Sequence, residues 1–339
     1  MLNKNYKEEY DTQFDPTSTT ITNDEPWYDN HGNIIETGRG GKISYFDGYY
    51  YWIGSQPHSQ WNQGGDVFLY RSKTLGSNSW TFVRKVYENQ GRGETTANCQ
   101  IHKHPILNTY VIHCKGRNFL VSTNGLDGEF QKIIPKPRDP SHLVKEGWNW
   151  GANSVFLDDD GSMYMVASRK ITPESRSGFI YRLRSDWLDF HETDPIVVQF
   201  PWRNREALSL LKTDGWYYLL ASGTRGWRPS PTRWKRSRTI VGLKDAEESE
   251  VVMHSGDDDF DSMGCQFRFL MEIEKGKWIF GGSRHPDEDP ATFFDATKGR
   301  EVFCPMRFID GVPHVYWKYK FQWDTYNYDS GDYDLHEEV

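Results

Sequence analysis

Along most of the chain, short runs of aromatic and β-branched residues are separated by turns rich in Gly, Asp and Asn. Examples are Lys42 to Tyr45, Gly48 to Ile53, Val67 to Arg71, Trp80 to Val86, Tyr110 to Cys114 and Asn118 to Ser122. No stretch keeps a sustained helical period, so the pattern predicts an all-β protein. One unit recurs with similar punctuation, in "FDGYYYWIGS", "ILNTYVIHCK", "DDDGSMYMVAS", "KTDGWYYLLASG" and "EKGKWIFGGS". Each is a polar turn followed by an aromatic or β-branched strand that closes near a small residue. Spread over ~280 residues, they give one unit per ~55 to 60 residues, the spacing of propeller blades rather than of sandwich strands. The expected fold is therefore all-β, a five-bladed β-propeller, with its ligand site at the axial mouth where the inner strand of each blade begins.

Outside this pattern the chain reads differently. Residues 1–24 are polar, with Thr17, Ser18, Thr19 and Thr20 in a row, and predict an N-terminal arm, either mobile or strapped over the fold. The propeller is expected over 25–325, followed by an acidic, Tyr-rich C-terminal tail over 326–339.

Composition narrows the function classes. The 339 residues are 36% hydrophobic and 15% aromatic, with 14 Trp, 19 Tyr and 19 Phe at a mean hydropathy of -0.78. A polar protein rich in flat rings suits strands and also sugar-binding surfaces, because a ring stacks on the apolar face of a pyranose; most of these rings are expected to be core. A net charge of -8 argues against nucleic acid or an anionic membrane as partner. The basic cluster from Arg225 to Arg238 is broken by Trp227, Trp234 and prolines and reads as a solvated loop, with a local anion site as the alternative. Cys99, Cys114, Cys265 and Cys304 are widely spaced without a CxxC pair, which indicates neither a zinc site nor a disulfide framework. No apolar run approaches the ~18 to 20 residues of a membrane span, and the N-terminus lacks the order of a signal peptide. The expectation is a soluble protein, either cytoplasmic or secreted with its signal removed.

Several segments resemble glycoside hydrolase family 43, and in particular its subfamily 24, the exo-β-1,3-galactanase branch. "WYDNHGNIIETGRGGKISYFDGYYYWIG" resembles that branch's opening strand and glycine-rich turn, and "YRSKTLGSNSWTF" is similar to its second-blade pattern of a Ser, a Leu and a Trp-aromatic strand. "NSVFLDDDGSMYMVAS" resembles the blade-three signature and "REALSLLKTDGWYYLLASGTRGW" the blade-four segment. "MGCQFRF" followed by "KWIFGGSRH" resembles the fifth-blade pair. Each motif alone is weak, since "DDDG" is a common turn. Their common order from Trp27 to Trp323 makes the resemblance specific.

The resemblance implies roles for particular residues. Glu206 stands where the family carries its general acid, the carboxyl that protonates the leaving oxygen of a glycosidic bond. The bland alternative is a surface glutamate paired with Arg203 or Arg205. An inverting hydrolase also needs a base to activate water. The family's usual aspartate is not evident, since "ETGRGGKI" offers only Glu36, a few residues too early. The galactanase branch is thought to use a glutamine tautomer instead. Gln266 holds that position here, with a buried structural glutamine as the alternative. This chain departs from the pattern at three places. Ala152 replaces an Asp that tunes the acid, Gln100 replaces a sugar-contacting Glu, and Arg39 stands where the branch has His.

Further candidates for sugar contact are Trp227, Trp148, Trp150 and Arg284. Packing between blades is the alternative for Trp148 and Trp150, and a tie between blades the alternative for Arg284. His285 replaces the Trp that follows this Arg in the family. The resemblance implies no required cofactor, although an axial calcium ion is compatible with the fold. The implied partner is an oligosaccharide or polysaccharide.

The leading reading is an exo-acting, inverting glycosidase that removes a terminal sugar, galactose being the one suggested, with Glu206 as acid and Gln266 orienting water. A glycan-binding propeller without catalysis is the second reading. A hydrolase of acidic or sulfated polysaccharide, using Arg39 and Arg284 to read the charge, is the third. Retention of Glu206 favours an enzyme over a lectin.

Overall fold

A computed structural model describes residues 13–37, 40–55, 65–89, 96–136, 150–172, 174–200, 204–225, 228–255, 262–284 and 300–334. Among these residues, apart from one 3-10 turn at Val241–Lys244, the regular structure is β, and five sheets of four or five strands follow one another along the chain. Their first strands are Lys42–Phe46, Gln100–Lys103, Trp150–Leu157, Arg205–Thr213 and Gln266–Glu274. In each the next three strands follow in chain order and pair antiparallel, so the architecture is the five-bladed β-propeller expected, with "YRSKTLGSNSWTF" supplying the outer strands of blade one rather than blade two, because it pairs directly with Tyr49–Ser55. The first strand of each blade is its inner one. Inner strands of successive blades meet around the axis, and their first residues ring one end of it.

The blades pack through five separate apolar clusters, one in each space between neighbours. This explains why the strands read as nearly continuous hydrophobic runs: with both faces buried, alternation sorts residues between two cores rather than between core and water. In the second strand of blade three, Met163, Met165 and Ala167 face Val111, Phe119 and Val121 of blade two. Val166, on the opposite face, joins Leu208, Leu210 and Leu219 of blade four.

The ring closes between blades five and one. There Trp52 of blade one and Phe303 of blade five meet Trp27 edge-on, at ring distances of 5.5 and 4.9 Å. Ile21 and Phe321, from the two ends of the described chain, enter the same cluster. Strand Thr20–Thr22 pairs antiparallel with Lys320–Gln322, and the fully buried Asn23 is the anchor beside it. Its Nδ2 donates to the carbonyls of Phe303 (3.0 Å) and Lys318 (2.7 Å), while its Oδ1 accepts from the Phe303 N–H (2.8 Å).

One feature of blade five was not legible in the sequence. Instead of four strands it has five, because Val252–His254 adds to the outer edge in parallel with Val312–Tyr316. All four cysteines are free and buried. Among the described residues no helix is long and apolar enough to cross a membrane.

Candidate active site

At the axial end where the inner strands begin, side chains tie each blade to others. The Lys42 ammonium of blade one reaches past blade two to donate to the Asn153 carbonyl of blade three at 2.7 Å. Gln100 Oε1, in blade two, accepts the Val155 N–H of blade three at 3.1 Å. Ser154 Oγ donates to the Leu208 carbonyl of blade four at 2.6 Å. In blade five, Arg268 donates to the carbonyls of Thr37 and Gly41, just ahead of the blade-one strand, and pairs with Glu301.

The remaining link in this ring joins the two residues singled out for catalysis. Gln266 opens the inner strand of blade five and Glu206 is the second residue of the blade-four strand. Gln266 Nε2 donates to Glu206 Oε1 at 3.2 Å. Gln266 is buried, while Glu206 is partly exposed.

Both residues are presented by unusual backbone. The pairing register shifts between Glu206 and Ser209, and Ala207 between them has φ of 50°. A bulge re-aims the side chain beside it. A non-glycine residue in this region costs roughly 1–3 kcal/mol, which persists only where the surroundings impose it. Here the buried Ala207 and Leu208 side chains hold the bulge down. Ahead of Gln266, Ser262, Met263 and Gly264 are all left-handed, with φ of 60°, 62° and 67°.

The arginine flanking Glu206 has another partner. Arg205 Nε binds Glu248 Oε1 at 2.8 Å, with both side chains out of water. Burial pulls the Arg205 guanidinium down from its ordinary value, and the Glu248 charge opposes that shift. Across the strand, Ser222 Oγ donates to the Glu206 carbonyl at 3.3 Å. Arg203 lies outside the described residues.

Other candidates also have partners within the protein, as the packing and inter-blade alternatives for Trp150 and Arg284 expected. Arg284 pairs with Asp24, donates to the Met263 carbonyl and lies 5.1 Å from the Trp317 ring. Trp150 stacks on Tyr181 at 5.3 Å, and the Arg169 guanidinium sits 4.3 Å from its ring. Gln100 spends its carbonyl oxygen on blade three. Ala152 lies between Gly151 and Asn153 on the blade-three inner strand, and no carboxylate stands at that position. Arg39, Trp148, Trp227 and His285 lie outside the described residues.

Because the Val155 N–H is left without its acceptor in Gln100→Ala, that variant is expected to lose about 1–3 kcal/mol of stability, read from denaturant midpoints. Unchanged stability with weakened glycan binding would assign Gln100 to the sugar instead.

Sequence reasoning put Glu36 aside, yet its carboxyl is raised above the ordinary range, by burial first and the Asp66 charge second. Asp24 was missed entirely, and no local signal marks it.

Among the described residues at this end of the axis, a calcium ion would compete with the chain's own cations for oxygen atoms. That ion wants six to eight oxygen ligands. Here the carbonyls of Asn153, Thr37 and Gly41 already receive Lys42 and Arg268, two cations of the chain itself. Burial, with Arg268 adding to it, lowers Lys42 to about 7. Among the described residues no group of three or more His, Cys, Asp or Glu could hold a metal ion.

A carboxyl thus meets a buried amide at the mouth of a five-bladed propeller, and comparison with known proteins bears on what such a site belongs to. Residues 23–290 match the model of glycosyl hydrolases family 43, so the chain belongs to that family and is a glycoside hydrolase. Similar solved structures include an exo-β-1,3-galactanase from Clostridium thermocellum, 20% identical with a TM-score of 0.74, covering 90% of this chain and 67% of that one. A β-1,3-galactosidase of the family, solved with galactodeoxynojirimycin, is 21% identical with a TM-score of 0.70 over 89% of this chain and 100% of that one. An exo-β-1,3-galactanase from Phanerochaete chrysosporium, solved with β-1,3-galactotriose, is 19% identical with a TM-score of 0.71 over 94% and 71%. Among curated proteins, none matches the sequence significantly.

Proposed function

We propose that this protein is an exo-acting, inverting glycosidase that releases a terminal galactose from a β-1,3-linked galactan or oligosaccharide. The observation that carries the reading is the contact between Glu206 and Gln266, two residues 60 positions apart that start the inner strands of adjacent blades. The galactanases and galactosidase of similar fold supply the substrate class. Glu206 gives its proton to the leaving oxygen as the glycosidic bond breaks; Gln266, as its imidic-acid tautomer, orients the water that attacks the opposite face of the sugar and takes that water's proton on nitrogen, while its own hydroxyl proton passes through solvent to the Glu206 carboxylate.

An inverting pair stands roughly 6.5–9.5 Å apart, leaving room for ring and water. The 3.2 Å contact is shorter than that, so an incoming sugar replaces the Gln266–Glu206 hydrogen bond. Breaking it costs little, because the sugar hydroxyls and the water offer new partners to both groups.

Incubation with β-1,3-galacto-oligosaccharides is expected to yield galactose one unit at a time from the non-reducing end. Chromatography of products follows the release, and proton NMR of the first product is expected to show the α-anomer. An internal cleavage pattern, or a β-anomer first, would be inconsistent with exo-action or inversion respectively. Binding without any product would make the protein a glycan-binding propeller.

A further inference from the structure

We infer that Asp24, acting through Arg284, is a positioning residue for Gln266, so that the segment ahead of blade one forms part of the centre in blade five. The inference rests on the role given to Gln266 above.

Three successive left-handed residues, Ser262, Met263 and Gly264, lead into Cys265 and Gln266. Such a turn relaxes unless its neighbours dictate it. Blade four holds its first residue: Ser262 Oγ donates to the Ser230 carbonyl at 2.9 Å and accepts the Thr232 N–H at 2.9 Å. Arg284 holds the second, through Nη2 on the Met263 carbonyl. At the third, a side chain would crowd the fork, since a Cβ on Gly264 would lie 3.2 Å from Arg284 Nε. The Cys265 N–H then bonds back to the Ser262 carbonyl at 3.3 Å, and Gln266 follows with its amide on Glu206.

Arg284 is in turn held from outside the blade. Its Nη1 binds Asp24 Oδ2, and the two side chains are 13% and 21% exposed, so water screens the pair only in part. Asp24 has φ of 64°, itself a left-handed residue, and its carbonyl accepts Arg300 Nε at 3.1 Å. Asn23, locked between Phe303 and Lys318, fixes the chain immediately before it. The path is continuous: an anchored Asn23, the Asp24 carboxylate, the Arg284 fork, the Met263 carbonyl, and the turn that aims Gln266. With one terminal nitrogen on the Asp24 carboxylate and the other on the Met263 carbonyl, Arg284 ties the segment ahead of blade one to the turn.

Asp24→Asn keeps the shape and removes the charge. Because a small misplacement near the reacting groups is costly, kcat is expected to fall about 10- to 100-fold, with KM within about twofold of the parent. The loss is expected to be the same on a natural glycan and on a nitrophenyl glycoside, since water must be placed for either. Arg284→Lys keeps the charge pair but lacks the planar fork that reaches both oxygens. It is expected to behave alike, and it gives the reading where Asp24→Asn does not fold. The double variant is expected to lose no more than the worse single one.

Amide exchange of the full-length variants, followed by mass spectrometry over residues 262–270, is expected to quicken and does not depend on turnover. Unchanged exchange there overturns the inference. So does a lower melting temperature with the parent's kcat, or a rise in KM alone, which would return Arg284 to the substrate. Faster exchange in a protein that cleaves no glycan would leave the positioning intact and refute the proposed function instead.

Discussion

Glu206→Gln is expected to lower turnover on a natural β-linked galactan by ~10² to 10⁴-fold, because it removes the proton donated to the leaving oxygen while preserving shape and hydrogen bonding. Glycan affinity should survive. A nitrophenolate leaves without needing a proton, so hydrolysis of a nitrophenyl glycoside should fall much less, and this contrast separates a missing acid from a damaged fold. Gln266→Ala is expected to slow both substrates, since the water must be oriented whatever leaves. The amide side chain that replaces Glu206 can still meet Gln266, so the 3.2 Å contact between blades four and five should be retained. Steady-state kinetics on the two substrates checks these outcomes. Parent-like turnover of the natural glycan by Glu206→Gln would remove Glu206 from the acid role.

Stability is expected to fall steeply as the medium is acidified through the histidine range. His113 is fully buried in blade two, against the Phe119 ring at 4.5 Å, and burial, with His102 adding to it, lowers its imidazole to about 3. In the unfolded chain the same group titrates near 6.5. Between those values the unfolded chain takes up a proton that the folded one refuses, so stability is lost as pH falls from about 6.5 toward 3. The loss is on the order of 4 kcal/mol over that window. His102, lowered to about 4 by burial and then by the Lys42 charge, acts in the same direction over a narrower range. Lys42, lowered to about 7, extends the same sign upward, with stability rising between about 7 and 10.5. Urea midpoints measured from pH 4 to 7 test the histidine part. His113→Phe keeps an aromatic ring in the cavity and removes the titrating group, so it should flatten the slope; an undiminished slope would show that other groups carry it.

Much of the architecture was readable before any coordinates. The recurrence of turn and aromatic strand, from "FDGYYYWIGS" to "EKGKWIFGGS", reflects a physical need: each blade buries both faces of its sheet against its neighbours, so each must repeat a run of apolar residues and then turn. Alternation within a strand such as Met163–Lys170 then divides residues between two cores. The place of Glu206 was legible for a related reason, because an inner strand begins at the axial mouth and the family pattern marks that position. The added parallel strand Val252–His254 was not legible, since three residues carry too little pattern to declare a partner 62 positions away.

Partnership is what sequence left open. Glu206 follows Arg205, and adjacency suggested an ion pair. The strand directs consecutive side chains to opposite faces, and Arg205 instead meets Glu248, 43 residues on. Gln100 and Trp150 were chosen for their chemistry at the mouth, and the closed ring brings the first to the Val155 N–H and the second to the Arg169 guanidinium. Arg284 was a candidate for reading substrate or for tying blades together, and ring closure brings Asp24, 260 residues earlier, within reach of it. What the sequence determined by itself was which residues are buried and where strands begin, because those depend on local period and on turns. What only the tertiary structure decided was which polar group meets which. That depends on how five blades close on one another, and a buried donor or acceptor takes whatever partner the closed ring places within about 3 Å.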